Sequence, residues 1–282
     1  NKKINKKNYT HSYYPDPANL INKISKLHKL PEYFINIGLG SESLIKDIFL
    51  WHSKKFESKR VCFGLPNYFM YSINAKINKY KIFNFNINPA NNRYLSSNFI
   101  INYIKKKRIS LFILVNPSHP FEKNWNKTEL KKIISFCQRK NVIILIDEVY
   151  QGLGSTSVDS FTKEYSNLIV IRSFSKSFGL PGLRIGYSLT SNKYSQEIET
   201  FRLAIELPQI CIDDALKYLS LYKKTIKKHI HQIISARKFA HSEFKKRNIL
   251  SITISAANYL NNLSDEKIAR IVWEDVKKTF NL

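Results

Sequence analysis

Between residues 33 and 187 the sequence alternates short apolar segments with longer segments whose apolar residues recur at helical spacing. Two of the short segments, Leu111–Val115 and Val142–Ile146, contain no polar residue at all. Strands without apolar/polar alternation are buried on both faces of a sheet, and the intervening helices supply the crossovers that parallel strands require. The pattern therefore predicts an α/β fold whose mainly parallel central sheet is covered on both faces.

The predicted elements follow directly from this alternation. The strands are expected at Tyr33–Ile37, Arg60–Phe63, Lys81–Phe85, Ser110–Val115, Val142–Ile146, Leu168–Ile171 and Ile185–Leu189. The helices between them are expected at Ser43–Lys54, Asn67–Ile77, Phe99–Lys106 and Thr128–Arg139, the last with Asn126 as its N-cap. The more charged C-terminal third predicts helices at Tyr194–Arg202, Ile212–Lys224, Ile226–Arg247 and Leu263–Phe280, and a strand at Leu250–Ile254.

Polar and glycine-rich segments follow several of these strands directly. Ligands of parallel sheets bind beyond the carboxyl ends of the strands. This rule predicts a single site formed by Gly38–Glu42, Asn116–His119, Asp147–Tyr150 and Ser173–Lys176.

The formal net charge of +25 allows two interpretations. Clustered lysines and arginines are typical of nucleic-acid binding. In this chain, however, the basic residues are spread over the whole length, and Lys, Asn and Ile, whose codons are A/T-rich, are heavily used throughout. We therefore favour a compositional bias and expect no nucleic-acid partner.

The sequence also bears on the compartment. No apolar run is long enough to cross a bilayer, and the charged start of the chain is not followed by the apolar stretch of a secretory signal. Since there is no initiator Met, we expect the true start to be missing. Cys62, Cys137 and Cys211 are odd in number and lack metal-ligand spacing, which predicts free thiols in a reducing compartment, the cytoplasm, and no metal site.

The segment from Ser173 to Tyr187 is the strongest candidate for chemistry. Its Lys176 follows a strand, where an amine can be held at a fixed position, as a Schiff-base lysine must be. The hydroxyls of Ser173 and Ser175 and the guanidinium of Arg184 can hold a phosphate. From composition alone, an ordinary surface lysine in a Ser/Gly-rich loop is the commoner explanation.

Asp147 and Tyr150 belong to a second motif, Asp147-Glu148-Val149-Tyr150, directly after an apolar strand. A carboxylate in this place can pair with a protonated pyridine nitrogen and keep the ring an electron sink. By itself the acidic pair could equally be a helix cap or a metal ligand. Its location 29 residues before Lys176 makes the combination much more specific.

These two motifs resemble the signatures of the class I and II aminotransferases, which are pyridoxal-phosphate (PLP) enzymes of fold type I. The likeness is greatest to the histidinol-phosphate aminotransferase branch and its threonine-phosphate decarboxylase relatives. The resemblance implies the aspartate-aminotransferase fold, with a large PLP-binding domain and a smaller C-terminal α/β domain. It implies that Lys176 binds PLP as a Schiff base and acts as general base, and that Ser173, Ser175 and Arg184 bind the cofactor phosphate. Asp147 would face the pyridine nitrogen, and Tyr150 the phenolic oxygen.

Other segments match the family at further positions. The Gly38–Glu42 turn is similar to one that grips the phosphate through backbone amides, which implies Ser41 and Glu42. Pro66-Asn67-Tyr68 resembles a motif whose ring stacks on the cofactor, which implies Tyr68, although a core aromatic is the commoner fate of a tyrosine. Tyr14, within Tyr13-Tyr14-Pro15-Asp16-Pro17, matches a tyrosine that crosses to the partner's cofactor phosphate and so implies a homodimer.

Two departures from the family pattern affect the functional interpretation. His119 stands where the family has an asparagine that donates to the phenolic oxygen; imidazole can donate the same bond, but the change is also compatible with lost activity. After the Ala256–Leu260 segment only 22 residues remain, and Arg270 is the only arginine after Arg247. Either residues are missing near 260–264, or the usual clamp for the substrate carboxylate is absent.

We accordingly expect three parts: an N-terminal arm (1–32), a large PLP-binding domain (33–205) and a small C-terminal domain (206–282) that is incomplete. The predicted activity is amino transfer between an amino acid or amino-phosphate compound and a 2-oxo acid. Two alternatives remain open at this point. One is PLP-dependent decarboxylation of a phosphorylated amino acid, and the other is a non-enzymatic protein, either a decayed homologue or a basic nucleic-acid partner.

Overall fold

A computed structural model describes residues 14–87, 96–118, 125–153, 156–221 and 227–246. Within these residues seven strands form a single sheet: β1 (Ile35–Leu39), β2 (Arg60–Leu65), β3 (Lys81–Asn86), β4 (Leu111–Val115), β5 (Ile143–Asp147), β6 (Leu168–Ser173) and β7 (Ile185–Thr190). The helices within the described ranges are α1 (Ala18–His28), α2 (Gly40–Lys55), α3 (Met70–Ile77), α4 (Ser97–Lys107), α5 (Lys127–Arg139), α6 (Asn192–Glu199), α7 (Gln209–Ser220) and α8 (Lys227–Lys246).

The sheet has the strand order β1-β7-β6-β5-β4-β2-β3. Every neighbouring pair is parallel except those that involve β7, which runs antiparallel to both β1 and β6. The prediction of a mainly parallel α/β sheet is confirmed. Because β1, β4, β5 and β6 point the same way, their carboxyl ends meet at one edge of the sheet, as the sequence predicted.

The two faces of the sheet are covered by different helices. Along β5, Ile144 and Ile146 pack with α1, α4 and α5, whereas Ile143 and Leu145 pack with α2 and α3. Successive side chains of a strand point to opposite faces, so a wholly apolar strand is the form that burial on both faces requires. This double cover explains why the apolar runs were such a strong signal.

Several element boundaries differ from the prediction. The first strand begins at Ile35 because residues 32–34 form a 3₁₀ turn. Helix α2 begins at Gly40, before the predicted Ser43, and the Gly40 N–H donates to the Arg184 carbonyl at 2.6 Å. Helix α6 ends at Glu199 instead of Arg202. The predicted N-cap of α5 is confirmed, since the Asn126 side chain accepts from the Glu129 N–H at 2.8 Å.

Some sequence predictions lie outside the described residues: the strand at Leu250–Ile254, the helix at Leu263–Phe280, His119 and Arg270. Among the described helices, none is both long enough and apolar enough to cross a membrane.

Candidate functional site

A cavity of about 430 Å³ lies at the carboxyl ends of the parallel strands. It is bounded by the start of α2, the segment before α3, the end of β5 and the loop after β6. The predicted site residues that line it are Ser41, Glu42, Tyr68, Asp147, Tyr150, Ser173, Ser175, Lys176 and Arg184. Tyr14 does not line it and is 86% exposed.

Lys176 lies in the loop between β6 and β7 and reaches toward the turn that follows β5. Its Nζ is 5.4 Å from the centre of the Tyr150 ring. Burial raises the pKa of the Asp147 carboxyl, and the positive charge of Lys176 opposes that rise. The amine is therefore directed into the cavity and toward Asp147, as its predicted role requires.

Asp147 ends β5 and is buried, with only 4% of its surface exposed. Burial raises the pKa of Asp147 above its usual value. Hydrogen bonds from the Tyr71 hydroxyl and the Val149 N–H and the charge of Lys176 act in the opposite direction. A buried carboxylate of this kind gains most from a cationic partner, and a protonated pyridine nitrogen is such a partner.

Tyr71 was not predicted from the sequence, although it lines the cavity. It lies in the first turn of α3 and is fully buried, and its pKa is well above the usual value because of burial and the nearby Asp147 charge. The hydroxyl therefore keeps its proton and donates a hydrogen bond to Asp147. The available signal was its spacing from Tyr68, since residues three apart share a helix face.

Tyr68 stands at the mouth of the cavity with 39% of its surface exposed. Its hydroxyl donates to Glu42 Oε2 at 3.2 Å, and its ring meets that of Tyr71 edge to face at 6.0 Å. Burial and the negative charge of Glu42 raise the pKa of Tyr68. The exposed ring is available to a flat ligand, which fits the stacking role that the resemblance implied better than that of a core aromatic.

The phosphate-binding side of the cavity is built around the first turn of α2. The N–H groups of a first helical turn have no partner within the helix and favour anions. A Cβ placed on Gly40 would lie 2.9 Å from Arg184 Nη2, so the guanidinium lies directly against the helix start. A Cβ on Gly186 would lie 2.4 Å from the Ser41 nitrogen, so strand β7 also contacts this turn closely. Because neither glycine has a side chain, the Arg184 guanidinium and the backbone amides of the first α2 turn can lie close together.

Ser173 and Ser175 complete this side. The Ser173 hydroxyl accepts a hydrogen bond from the Ser175 N–H at 3.0 Å, which folds the loop after β6 back on itself. Hydroxyls, helix amides and a guanidinium together match the oxygens of a phosphate. The residues present therefore fit PLP at both ends, with the carboxylate at one and the phosphate cradle at the other.

Comparisons with known proteins place this chain in a family. Residues 2–271 match the model of the family described as aminotransferase class I and II. A histidinol-phosphate aminotransferase from Ruminiclostridium cellulolyticum is 27% identical over 252 residues, covering 88% of this chain and 68% of the relative. One from Clostridium beijerinckii is 29% identical over 226 residues, covering 76% and 60%.

A solved structure shares the fold. The histidinol-phosphate aminotransferase from Sinorhizobium meliloti, determined in complex with pyridoxal-5'-phosphate, aligns with a TM-score of 0.73 at 20% identity, over 85% of this chain and 66% of that one. The chain thus spans about two thirds of the length of the proteins that it resembles.

Proposed function

Because this chain belongs to the class I and II aminotransferase family, we propose that it moves an amino group between an amino acid or amino-phosphate compound and a 2-oxo acid, with PLP as cofactor. The supporting observation is that one cavity brings together the Lys176 amine, the buried Asp147 carboxylate and the Arg184 guanidinium beside a helix start. The alternatives of a decarboxylase and a decayed homologue are not favoured, since the relatives described above are aminotransferases.

Each residue of the cavity has a part in this proposal. When bound, PLP supplies an electron sink for the electron pair released at the substrate α-carbon. Asp147 would hold the proton on the ring nitrogen, and Lys176 would bind the cofactor covalently and then carry the proton to and from the α-carbon. Tyr68 would cover the ring face, and Tyr150 would lie beside the phenolic oxygen. The phosphate would be held by Ser173, Ser175, Arg184 and the backbone amides of Ser41 and Glu42.

Lys176→Ala tests this assignment. The wild-type chain should develop a visible absorption band with PLP, and borohydride reduction should leave a pyridoxyl mass on the peptide that contains Lys176. The variant should lack both, whereas the matched variant of exposed Lys163, Lys163→Ala, should retain them. A wild-type chain without the band, or a Lys176→Ala variant that keeps it, would refute the proposal.

Product analysis tests the reaction class. Amino transfer predicts a 2-oxo acid from an amino donor and no release of carbon dioxide. The names of the relatives make histidinol phosphate with 2-oxoglutarate the first pair to assay. His119 lies outside the described residues, and its role opposite the phenolic oxygen remains part of the proposal.

The proposal includes a homodimer with shared sites. Phe69, Ile73 and Ile77 are 63%, 39% and 69% exposed, and their spacing of four residues places them along one face of the segment that contains α3. An exposed apolar face next to the site favours burial against a second copy. Tyr14 would then reach the partner's phosphate. Light scattering should give twice the chain mass, and Ile77→Lys should reduce it to that of a monomer; a wild-type monomer would contradict the proposal.

The domain division, with an arm at 1–32, a large domain at 33–205 and a small domain at 206–282, is also retained as a proposal. A cytoplasmic location is likewise proposed, supported by the three free thiols, of which Cys62 and Cys137 are buried.

A further inference from the structure

Behind the cavity, on the face of the sheet that carries α1 and α5, a second cluster of charged side chains is buried. Glu148 follows Asp147, and Arg172 precedes Ser173, so each is the immediate neighbour of a site residue. Neither is exposed by more than 6%. Because side chains alternate along extended chain, Asp147 and Ser173 face the cavity whereas Glu148 and Arg172 lie on the opposite face.

The two side chains join neighbouring strands. Arg172 Nη2 lies 2.7 Å from Glu148 Oε2, and Arg172 Nη1 donates to Gln151 Oε1 at 2.7 Å. The Glu148 N–H donates to the Ile171 carbonyl at 2.9 Å, so backbone and side chain connect the same two segments. Thus a single guanidinium contacts both ends of the turn that contains Tyr150.

Glu148 is fixed in turn from a third segment. Its Oε1 accepts from the Val158 N–H at 2.8 Å, and its Oε2 accepts from the Ser157 hydroxyl at 2.9 Å. Arg172 Nη2 also donates to Ser157 Oγ at 2.6 Å. With its carboxylate held by three donors, Glu148 has little freedom to move.

We propose that Glu148 and Arg172, called the brace below, are positioning residues that set the distance between Asp147 and the loop of Ser173 and Lys176, which would hold the cofactor between them. The inference rests on the proposed function. A shift of about 1 Å in a site of this kind can cost about 100-fold in rate. A planar guanidinium that holds Glu148 through Nη2 and Gln151 through Nη1 opposes such a shift.

Two variants separate positioning from stability alone. Arg172→Met leaves Glu148 buried without its cation, which should lower the melting temperature of the apo chain by about 5–10 °C. The double variant Glu148→Gln, Arg172→Met no longer buries the Glu148 charge without its cation; Asp159, 3.7 Å from Arg172 Nη2, keeps its contact with His28. The double variant should therefore recover most of that loss. Neither variant changes a residue that lines the cavity.

The readouts are the dissociation constant for PLP and the visible circular dichroism of the bound cofactor, which reports ring orientation. If the brace positions the site, both variants should bind PLP about 10-fold more weakly and show an altered dichroism band. The double variant should do so although it is nearly as stable as wild type. His52→Gln, a buried change at the other ends of the strands, controls for destabilisation and should bind PLP normally.

The positioning role would be refuted if the double variant regained wild-type PLP affinity and dichroism together with its stability. It would also be refuted if Arg172→Met bound PLP with the affinity and dichroism of wild type. If Arg172→Met does not fold, the double variant alone decides the question. Failure of the wild-type chain to bind PLP would refute the proposed function instead, so the two failures are distinguishable.

Discussion

Tyr71 donates a hydrogen bond to Asp147 from the first turn of α3, and both residues are buried. This contact spans 76 residues and connects the helix beside the cavity to the carboxylate at the end of β5. Without a donor, a carboxylate so deeply buried would be protonated more readily. Tyr71 therefore helps to keep Asp147 in the charged form that a pyridinium nitrogen requires.

Tyr71→Phe should weaken PLP binding by about 10-fold, because loss of a hydrogen bond to a charged group costs about 1.5–3 kcal/mol and only part of this is recovered on binding. The variant should raise the pKa of Asp147 further, so the loss should be greater at pH 6 than at pH 8. Titration of the apo wild type and the apo variant with PLP at both pH values measures this loss of affinity. Tyr80→Phe, which removes another buried tyrosine hydroxyl, is the control; equal losses in the two variants would contradict this role.

Arg184→Gln should weaken the binding of PLP much more than that of pyridoxal, which lacks the phosphate. The guanidinium lies against the first turn of α2 and would face the dianion together with the helix amides. A charge-assisted bond is worth about 1.5–3 kcal/mol, or about 10- to 100-fold in affinity. Parallel titrations with the two ligands, with Arg139→Gln as a remote control, measure the ratio. An equal loss for both ligands would place Arg184 away from the phosphate.

Gly40→Ala should destabilise the chain by about 1–2 kcal/mol and also weaken PLP binding. Gly40 has φ +71°, which side chains rarely adopt, and its Cβ would lie 2.9 Å from Arg184 Nη2. The matched variant Gly182→Ala has nothing within 4 Å of its Cβ and should be close to neutral. Urea unfolding gives the free energy of unfolding of both variants. Equal values for Gly40→Ala and Gly182→Ala would mean that the turn relaxes without strain.

Much of the sheet and site could be predicted because the relevant signals are local. A wholly apolar run such as Val142–Ile146 predicts a buried strand whatever its neighbours are. Because ligands bind beyond the carboxyl ends of such strands, the next residue, Asp147, was predicted as a site residue. Lys176 and Arg184, which were predicted from their motif, both line one cavity; their roles stay predictions. The antiparallel direction of β7 was not predicted, since direction depends on the connection and not on the composition of the strand.

The parts that were not predicted depend on contacts between distant residues. Tyr71 carries no motif of its own, and only its approach to Asp147 gives it a role. Glu148 and Arg172 lie 24 positions apart; in the sequence Glu148 is only one half of an acidic pair, and Arg172 carries no motif of its own. Their pairing arises because adjacent parallel strands place them side by side. Such partners are fixed by register, which a single sequence does not reveal.

The stability of the chain should depend on pH through His52, which lies at the opposite ends of the strands from the cavity. Its ring is fully buried, with Nδ1 2.8 Å from the Tyr80 hydroxyl and Nε2 3.1 Å from the Ser110 carbonyl. Burial lowers the pKa of His52 from its usual 6.5 to about 4. Below pH 6.5 the unfolded chain therefore binds a proton that the folded chain does not, and stability falls as the pH falls.

Between pH 7 and pH 5 this linkage amounts to about 2 kcal/mol from His52 alone. His52→Gln removes the titrating group, so the free energy of unfolding of the variant should fall by about 2 kcal/mol less than that of wild type over this interval. Urea denaturation of both chains at the two pH values gives the comparison, in which all other titrating groups cancel. Parallel pH dependence in wild type and variant would mean that the pKa of His52 is the same in the folded and the unfolded chain, and would contradict this prediction.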